Sequence, residues 1–124
     1  MSYKIVFSDI DGTLLNKNRE LSPGTIKAVK RLKNKVPVVL ISARMPSAMR
    51  HLQKELAIAH LPIICYNGGL IIIKDEIQRL TVISFRILQD LEKFQSKLNC
   101  HLSLYPNDKW KFPQIDQWTE REIK

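Results

Sequence analysis

The sequence predicts an α/β fold, on three observations. Three short apolar segments, residues 3–8, 36–41 and 61–66, have the length and the β-branched content of buried strands. Two segments of helical periodicity separate them, so the order is strand, helix, strand, helix, strand. Near-continuous apolar strands joined by helices are typical of right-handed βαβ units. We therefore expect a partial Rossmann-like parallel sheet with a three-strand βαβαβ core, followed by a partial α+β region.

The two intervening helices are predicted from their first residues and their apolar faces. Ser22 can cap a helix whose first position is Pro23, and Pro46 opens the second helix. Apolar residues then recur at three- and four-residue spacing, as on one buried helix face: Ile26, Val29 and Leu32 in the first helix, and Met49, Leu52 and Leu56 in the second.

The pattern changes after residue 69. Residues 70–84 predict two strands that turn at Lys74-Asp75-Glu76, and Ser84 then caps a third helix. That helix has Ile87, Leu91, Phe94 and Leu98 on one face. A strand over 100–105, a turn at 106–108 and a last helix from about Ile115 are expected after it. This arrangement predicts an α+β region that begins near residue 80.

Length and composition favour a soluble cytoplasmic protein with one domain, or one domain and a fragment. The chain has 124 residues, of which 44% are hydrophobic, and no apolar run approaches the ~20 residues of a membrane span. Cys65 and Cys100 show no CxxC spacing, which fits reduced thiols. The net charge is +8, and many basic residues lie between 17 and 35, around the first helix. We interpret them as a solvated helix face, and expect neither nucleic acid nor membrane as a partner.

Polar residues follow each of the three predicted parallel strands. They are Asp9-Ile10-Asp11-Gly12-Thr13, Ser42-Ala43-Arg44 and Asn67-Gly68-Gly69. Ligands bind beyond the carboxyl ends of the strands in open parallel sheets, so the three groups point to one pocket. Ser, Asn and Gly are also ordinary turn residues, and for Ser42 or Asn67 alone that simpler interpretation stays open.

The aspartate pair indicates chemistry on a phosphate. Asp9 and Asp11 repel each other unless a cation or hydrogen bonds compensate, and Mg²⁺ is bound by few carboxylates, carbonyls and waters. Gly12 lets an anion approach the backbone closely. One aspartate could then form an aspartyl-phosphate, while the second acts as general acid and base. The acid role needs surroundings that raise the pKa of that carboxyl above about 3.9.

These motifs resemble those of the haloacid dehalogenase-like hydrolases. "DIDGTL" after an apolar strand, "VVLISARMP" with a serine after the second, and "CYNGGLI" after the third are most similar to the Cof-type, subclass IIB sugar-phosphate phosphatases. The resemblance implies that residues 1–80 are the N-terminal part of the core and residues 81–124 part of an α+β cap. It also implies Mg²⁺ as the cofactor and a small phosphorylated metabolite as the substrate.

The resemblance assigns roles residue by residue. Asp9 would be the nucleophile and a Mg²⁺ ligand, and Asp11 the general acid/base, with its backbone carbonyl also on the metal. Ser42 would hydrogen-bond the transferring phosphoryl group, and Gly12 would offer it an amide. Three further residues are candidates for positioning the substrate: Arg44, Asn67 and Gly68.

Two parts of the family signature are absent from this sequence. They are a lysine near the nucleophile and an acidic Gly-Asp-x-x-Asn-Asp segment, and both would follow the cap, within which this sequence stops. The first strand would then lie on an exposed sheet edge. The alternative is therefore a truncated or split-gene remnant with little or no activity. We expect a second copy of the chain, or a complementing second-half chain, to cover that edge.

The remaining polar and aromatic residues receive structural interpretations. Asp90, Asp108 and Asp116 are expected to be helix or turn residues, and His51, His60 and His101 surface or packing residues. Trp110 and Trp118 are expected to pack against Phe94 or Phe112.

Overall fold

A computed structural model describes residues 3–32, 35–106 and 108–123. The chain forms two compact units, Met1–Thr81 and Val82–Lys124. Unit one contains β1 (Val6–Ser8), α1 (Pro23–Leu32), β2 (Val38–Ile41), α2 (Ser47–Glu55), β3 (Ile63–Cys65), β4 (Leu70–Ile73) and β5 (Glu76–Leu80). Unit two contains α3 (Phe85–Leu98) and α4 (Gln117–Ile123).

Unit one is built on a single five-stranded sheet with the strand order β1-β2-β3-β4-β5. Strands β1, β2 and β3 are parallel, whereas β4 and β5 are antiparallel additions beside β3. The predicted α/β fold with a parallel βαβαβ core is confirmed. Within the described residues β1 pairs with β2 alone, so it forms one edge of the sheet, as the sequence predicted.

The predicted caps account for where the helices begin. The Ser22 hydroxyl accepts a hydrogen bond from the Thr25 amide at 3.0 Å, and α1 begins at Pro23. In unit two the Ser84 hydroxyl accepts from the Ile87 amide at 3.4 Å at the start of α3. Each cap satisfies an amide that has no partner inside its own helix.

The core of unit one lies between the sheet and its helices. Its members with no exposed surface are Ile10, Leu40, Met49, Leu56, Ile58, Ile63 and Cys65. Burial of these side chains, each worth about 1.5–3 kcal/mol, fixes the sheet against α2. The carboxyl ends of β1, β2 and β3 are thereby held side by side at one end of the sheet.

The predicted strand over residues 100–105 is wrong. Only an isolated bridge joins Leu104 to Lys111, with hydrogen bonds of 2.8 Å in both directions. Pro106 and Pro113 flank the two paired segments, and proline cannot donate to a strand ladder, so the pairing does not extend. The predicted turn at 106–108 includes Asn107, which lies outside the described residues.

The predicted apolar face of α3 is largely exposed to solvent. Ile87, Phe94 and Leu98 are exposed, while Leu91 is half-buried. None of the helices in the described residues is long and apolar enough to cross a membrane.

Candidate active site

The segment after β1 makes a tight turn around the carbonyl of Ile10. The amides of Thr13, Leu14 and Leu15 donate to that oxygen at 3.3, 3.0 and 3.1 Å. The Ile10 side chain is completely buried in the core, whereas Asp9 and Asp11 on either side of it are exposed. The buried Ile10 side chain thus anchors this segment, and the two aspartates that flank it remain exposed to solvent at the carboxyl end of β1.

Gly12 follows Asp11 with φ at +76°, in the left-handed region. An added Cβ would meet no atom within 4 Å, so the requirement for glycine here is one of backbone conformation and not of space. The open surroundings leave the backbone of this turn accessible to an anion.

The end of β2 is joined to the end of β3 through backbone hydrogen bonds. The Ser42 amide donates to the Ile64 carbonyl at 3.0 Å, and the Asn67 amide donates to the Ser42 carbonyl at 3.0 Å. Ser42 is buried, and its hydroxyl accepts from the Arg44 amide at 3.2 Å. That bond uses a lone pair of Oγ and leaves its O–H as a donor.

A bidentate ion pair joins the end of β1 to the end of β2. Arg44 Nε lies 2.9 Å from Asp11 Oδ2, and Arg44 Nη2 lies 2.7 Å from Asp11 Oδ1. Arg44 Nη1 also donates to the Ala48 carbonyl in α2 at 3.5 Å. The Arg44 side chain is 17% exposed and that of Asp11 51%. A planar fork of this kind is suited equally to a carboxylate and to a phosphate.

The Arg44 guanidinium sets the protonation state of Asp11. Its hydrogen bonds, and secondarily its charge, lower the pKa of the Asp11 carboxyl below the ordinary 3.8, although partial burial opposes them. The charge of Arg19 acts in the same direction. No motif singled out Arg19, because its effect depends on how the segment between β1 and α1 folds back. The general-acid role requires a raised pKa of the Asp11 carboxyl, whereas the contact with Arg44 lowers it.

Removal of Arg44 is expected to raise the pKa of Asp11. A depressed carboxyl pKa stabilises the fold above the unfolded value of 3.8, and this contribution is lost as the pH falls through the folded value. In Arg44→Ala the Asp11 carboxyl should titrate at higher pH, as followed by its ¹³C chemical shift. Arg50→Ala, which removes a partner of Asp75 instead, is the matched control. An unchanged Asp11 titration in Arg44→Ala would contradict this explanation.

The predicted site residues lie at one sheet edge, in two linked pairs. Asp11 contacts Arg44 through side chains, and Ser42 contacts Asn67 through the backbone. Asn67 and Gly68 both have positive φ values, 53° and 94°, in a single 3₁₀ turn over Tyr66–Gly68. The Asp9 carboxylate is exposed at the end of β1.

The donor set at this edge suits a hard cation such as Mg²⁺ in its chemistry. Mg²⁺ is held by one or two carboxylates, substrate phosphate and waters. Because the Asp11 carboxylate is paired with Arg44, two oxygen ligands remain for a metal ion at this place. They are the Asp9 carboxylate and the Asp11 backbone carbonyl. No group of three or more His, Cys, Asp or Glu side chains suited to a metal occurs among residues 3–32, 35–106 and 108–123.

Comparison with known proteins identifies the family of this chain. A family model described as haloacid dehalogenase-like hydrolase matches residues 6–124, and the chain belongs to that family. A Haemophilus influenzae protein named "Putative phosphatase" is 41% identical over 73 residues, which are 58% of this chain and 28% of that protein.

Two solved structures have the same fold as this chain. A haloacid dehalogenase-like hydrolase from Bacteroides thetaiotaomicron matches with a TM-score of 0.88 and 24% identity, over 98% of this chain and 48% of its own. A subclass IIB sugar phosphatase matches with a TM-score of 0.81 and 18% identity, over 97% and 47%. The chain therefore spans about half the length of these solved relatives.

Proposed function

We propose that this chain carries the nucleophile of a Mg²⁺-dependent phosphomonoester hydrolase that acts on a small, sugar-phosphate-like substrate. The observation that carries the proposal is the bidentate Arg44–Asp11 pair, which brings the ends of β1 and β2 together beside Asp9. Membership of the haloacid dehalogenase-like hydrolases supports this class of reaction.

Two chemical steps follow from the proposed roles. An Asp9 carboxylate oxygen attacks phosphorus, the bond to the substrate oxygen breaks, and protonated Asp11 gives its proton to the departing alcohol. Asp11, now ionised, then takes a proton from water as that water attacks the aspartyl-phosphate, which releases inorganic phosphate and restores Asp9. The Ser42 hydroxyl and the Gly12 backbone would hold the phosphoryl oxygens, and Asn67 and Gly68 would position the rest of the substrate.

Arg44 gives Asp11 a route to the protonated state. While the guanidinium holds Asp11, it stabilises the carboxylate and opposes proton uptake. A substrate phosphate is a second anion that the Arg44 guanidinium can bind, and it also brings negative charge next to Asp11. Transfer of the guanidinium from Asp11 to the phosphate would remove the cause of the lowered pKa, and the phosphate charge would raise it. Arg44 would then position substrate and release the acid in one movement.

Mg²⁺, held by the Asp9 carboxylate and the Asp11 carbonyl, would supply neutralisation of the phosphate charge when bound. The proposed dependence is tested with p-nitrophenyl phosphate in the presence of Mg²⁺ and after chelation. We expect p-nitrophenol release with Mg²⁺, its loss on chelation and its return when Mg²⁺ is added back. Release that is unaffected by chelation would contradict the proposed metal dependence.

A second candidate is a weakly active or inactive piece that needs a partner to complete its site. Two observations favour it: the absence of an acidic cluster among the described residues, and the exposed edge of β1. Phe7 in β1 is 54% exposed, an unusual state for an aromatic residue in a strand. A complementing second-half chain, or a second copy of this chain, would cover that edge by strand addition.

The partner proposal is tested by size-exclusion chromatography with light scattering. We expect a dimer, or a monomer that combines with a separately produced second half and gains activity on doing so. A stable monomer that binds no second half would contradict it.

The two units receive separate proposed identities. Met1–Thr81 would be the N-terminal part of the hydrolase core, and Val82–Lys124 part of an α+β cap. Neither Cys65 nor Cys100 forms a disulfide in the described part of the chain, which supports our proposal of a reducing cytoplasmic location.

A further inference from the structure

Unit two contains a chain of four hydrogen-bonded side chains that the proposed phosphatase does not use. His101 Nδ1 lies 2.7 Å from Asp116 Oδ2, and His101 Nε2 lies 2.7 Å from Ser103 Oγ. Trp110 Nε1 donates to the same Ser103 oxygen at 3.0 Å. The series serine, histidine, aspartate is the arrangement in which a hydroxyl is activated as a nucleophile.

Local structure explains why residues distant in sequence meet here. His101 and Ser103 are two residues apart, and their side chains lie within hydrogen-bonding distance of each other. The Leu104–Lys111 bridge turns the chain back and brings Trp110 beside Ser103. The Trp110 ring packs against Phe112 with centroids 4.7 Å apart, which fixes the indole and confirms one of the predicted aromatic contacts.

Asp116 is held rigidly, because it also caps α4. Its Oδ1 accepts from the amides of Trp118 and Thr119, both at 3.0 Å, while Oδ2 faces His101. Asp116 is thus the cap residue that precedes α4. The hydrogen bond from the Thr119 amide, and then those from His101 and the Thr119 hydroxyl, lower the pKa of its carboxyl to about 2, although partial desolvation opposes them. One carboxylate thus serves the helix with one oxygen and the imidazole with the other.

The direction of each hydrogen bond follows from the chemistry of the partners. An ionised Asp116 only accepts, so the proton is assigned to His101 Nδ1, and Nε2 of the neutral ring is an acceptor. The indole N–H of Trp110 only donates, so Ser103 accepts from it and gives its own O–H to Nε2. In the neutral form of the ring the donors therefore run from Trp110 through Ser103 and His101 to Asp116, as a serine nucleophile with a histidine base requires.

Ser103 and His101 line an open cleft of about 590 Å³ in unit two. The other lining residues are Cys100, Tyr105, Trp118 and Arg121. Ser103 is half-buried, and Tyr105 and Trp118 expose much of their rings. The cleft can therefore admit a small molecule with an aromatic group beside the serine hydroxyl.

We propose that Ser103 is a nucleophilic serine in a second hydrolytic centre, which acts on small aryl esters of carboxylic acids. The Ser103 oxygen attacks the ester carbonyl carbon while its proton passes to His101 Nε2. The bond to the aryl oxygen then breaks, and that oxygen takes the proton. Water, deprotonated by the same nitrogen, attacks the acyl-serine carbonyl carbon, the bond to the serine oxygen breaks and that oxygen takes the proton back from His101 Nε2, which yields the carboxylic acid and restores Ser103. Asp116 is a positioning residue that holds the ring in the required tautomer, and Trp110 supplies a donor within reach of the developing oxyanion.

The test is covalent labelling of the full chain with a fluorophosphonate, and hydrolysis of p-nitrophenyl acetate. All variants are made in a Cys100→Ser parent background, because the exposed Cys100 thiol in the same cleft would also react with activated esters. We expect the label on Ser103, and loss of both signals in Ser103→Ala. His101→Gln should lower the labelling rate by about 10²- to 10⁴-fold, because the general base is gone.

Asp116→Asn separates positioning from folding. Asparagine can still cap α4 with its carbonyl, but its amide cannot accept from His101 Nδ1, so the ring loses the required tautomer. We expect slower labelling with an altered pH profile, while circular dichroism keeps the helical signal. Ser96→Ala, which alters an exposed serine of α3, is the matched control and should label normally.

Three results would overturn the proposal. They are no labelling of a chain whose circular dichroism is that of a folded protein, equal labelling in Ser103→Ala, and an Asp116→Asn rate and pH profile identical to those of the parent. Asp9→Asn separates this activity from the phosphatase, because it should leave ester hydrolysis unchanged.

Discussion

Asp9→Asn is expected to abolish phosphomonoester hydrolysis by this chain. The amide is a poor nucleophile and cannot form the aspartyl-phosphate, so the covalent route is closed. Removal of a catalytic nucleophile lowers turnover by several orders of magnitude, roughly 10³- to 10⁶-fold. The measurement is release of p-nitrophenol from p-nitrophenyl phosphate in the presence of Mg²⁺, at equal concentrations of the two proteins.

Asp75→Asn is the matched control for this change. Asp75 is an exposed aspartate in the β4–β5 turn that pairs with Arg50, and its φ of 65° is one that asparagine tolerates. Its substitution makes the same chemical change far along the sheet, and activity should stay at the wild-type level. Equal activity in wild type and Asp9→Asn would show that the hydrolysis does not depend on this carboxylate.

Asp11→Asn is expected to have an effect that depends on the leaving group. The acid donates a proton to the departing oxygen, which an alkoxide needs far more than a p-nitrophenolate does. Hydrolysis of an alkyl or sugar phosphate should fall by about 10²- to 10⁴-fold, and that of p-nitrophenyl phosphate by much less in its first step. The first-turnover release of the alcohol and of p-nitrophenol reports the first step alone and gives the ratio, whereas phosphate release also needs Asp11 as the base of the second step.

In the Asp11→Asn variant the side-chain amide oxygen can still accept from Arg44, so the pair that joins β1 to β2 keeps one of its hydrogen bonds. The loss is therefore attributable to the proton and not to collapse of the edge, and thermal unfolding of the variant provides the check. Equal losses on both substrates would contradict a general-acid role for Asp11. They would favour a role for its carboxylate in charge or position alone.

Local sequence signals predicted the starts of two helices and the turn between β4 and β5 well, because each had a local physical cause. Ser22 and Ser84 cap the predicted helices, and Lys74-Asp75 turns the chain between β4 and β5 with two positive φ values. The attachment of β4 and β5 to β3 was not predicted, since the choice of neighbour in a sheet is a tertiary property. The failed strand at 100–105 shows the same limit, because the extent of its pairing depends on the segment around Lys111, where only an isolated bridge forms.

The candidate site was predictable in composition but not in its contacts. Ligand sites lie beyond the carboxyl ends of parallel strands, and on this ground Asp11 and Arg44 were predicted as site residues. The structure brings the two into direct contact. The spacing of the motifs could not predict the lowered pKa of Asp11. That effect depends on the rotamer of Arg44, which lies 33 positions away in the sequence. The His101–Ser103–Asp116 series was missed for a related reason. Its members lie on the two sides of the segment that the Leu104–Lys111 bridge closes, so their proximity is a tertiary property.

The central claim, that Asp9 accepts the phosphoryl group, is tested most directly by mass spectrometry of the acid-quenched protein. The folded chain is incubated with Mg²⁺ and p-nitrophenyl phosphate, digested, and its peptides are searched for phosphate. We expect phosphate on the peptide that contains Asp9, its removal by hydroxylamine as for an acyl-phosphate, and its absence in Asp9→Asn. Phosphate on another residue, or none on a chain that turns over the substrate, would contradict it.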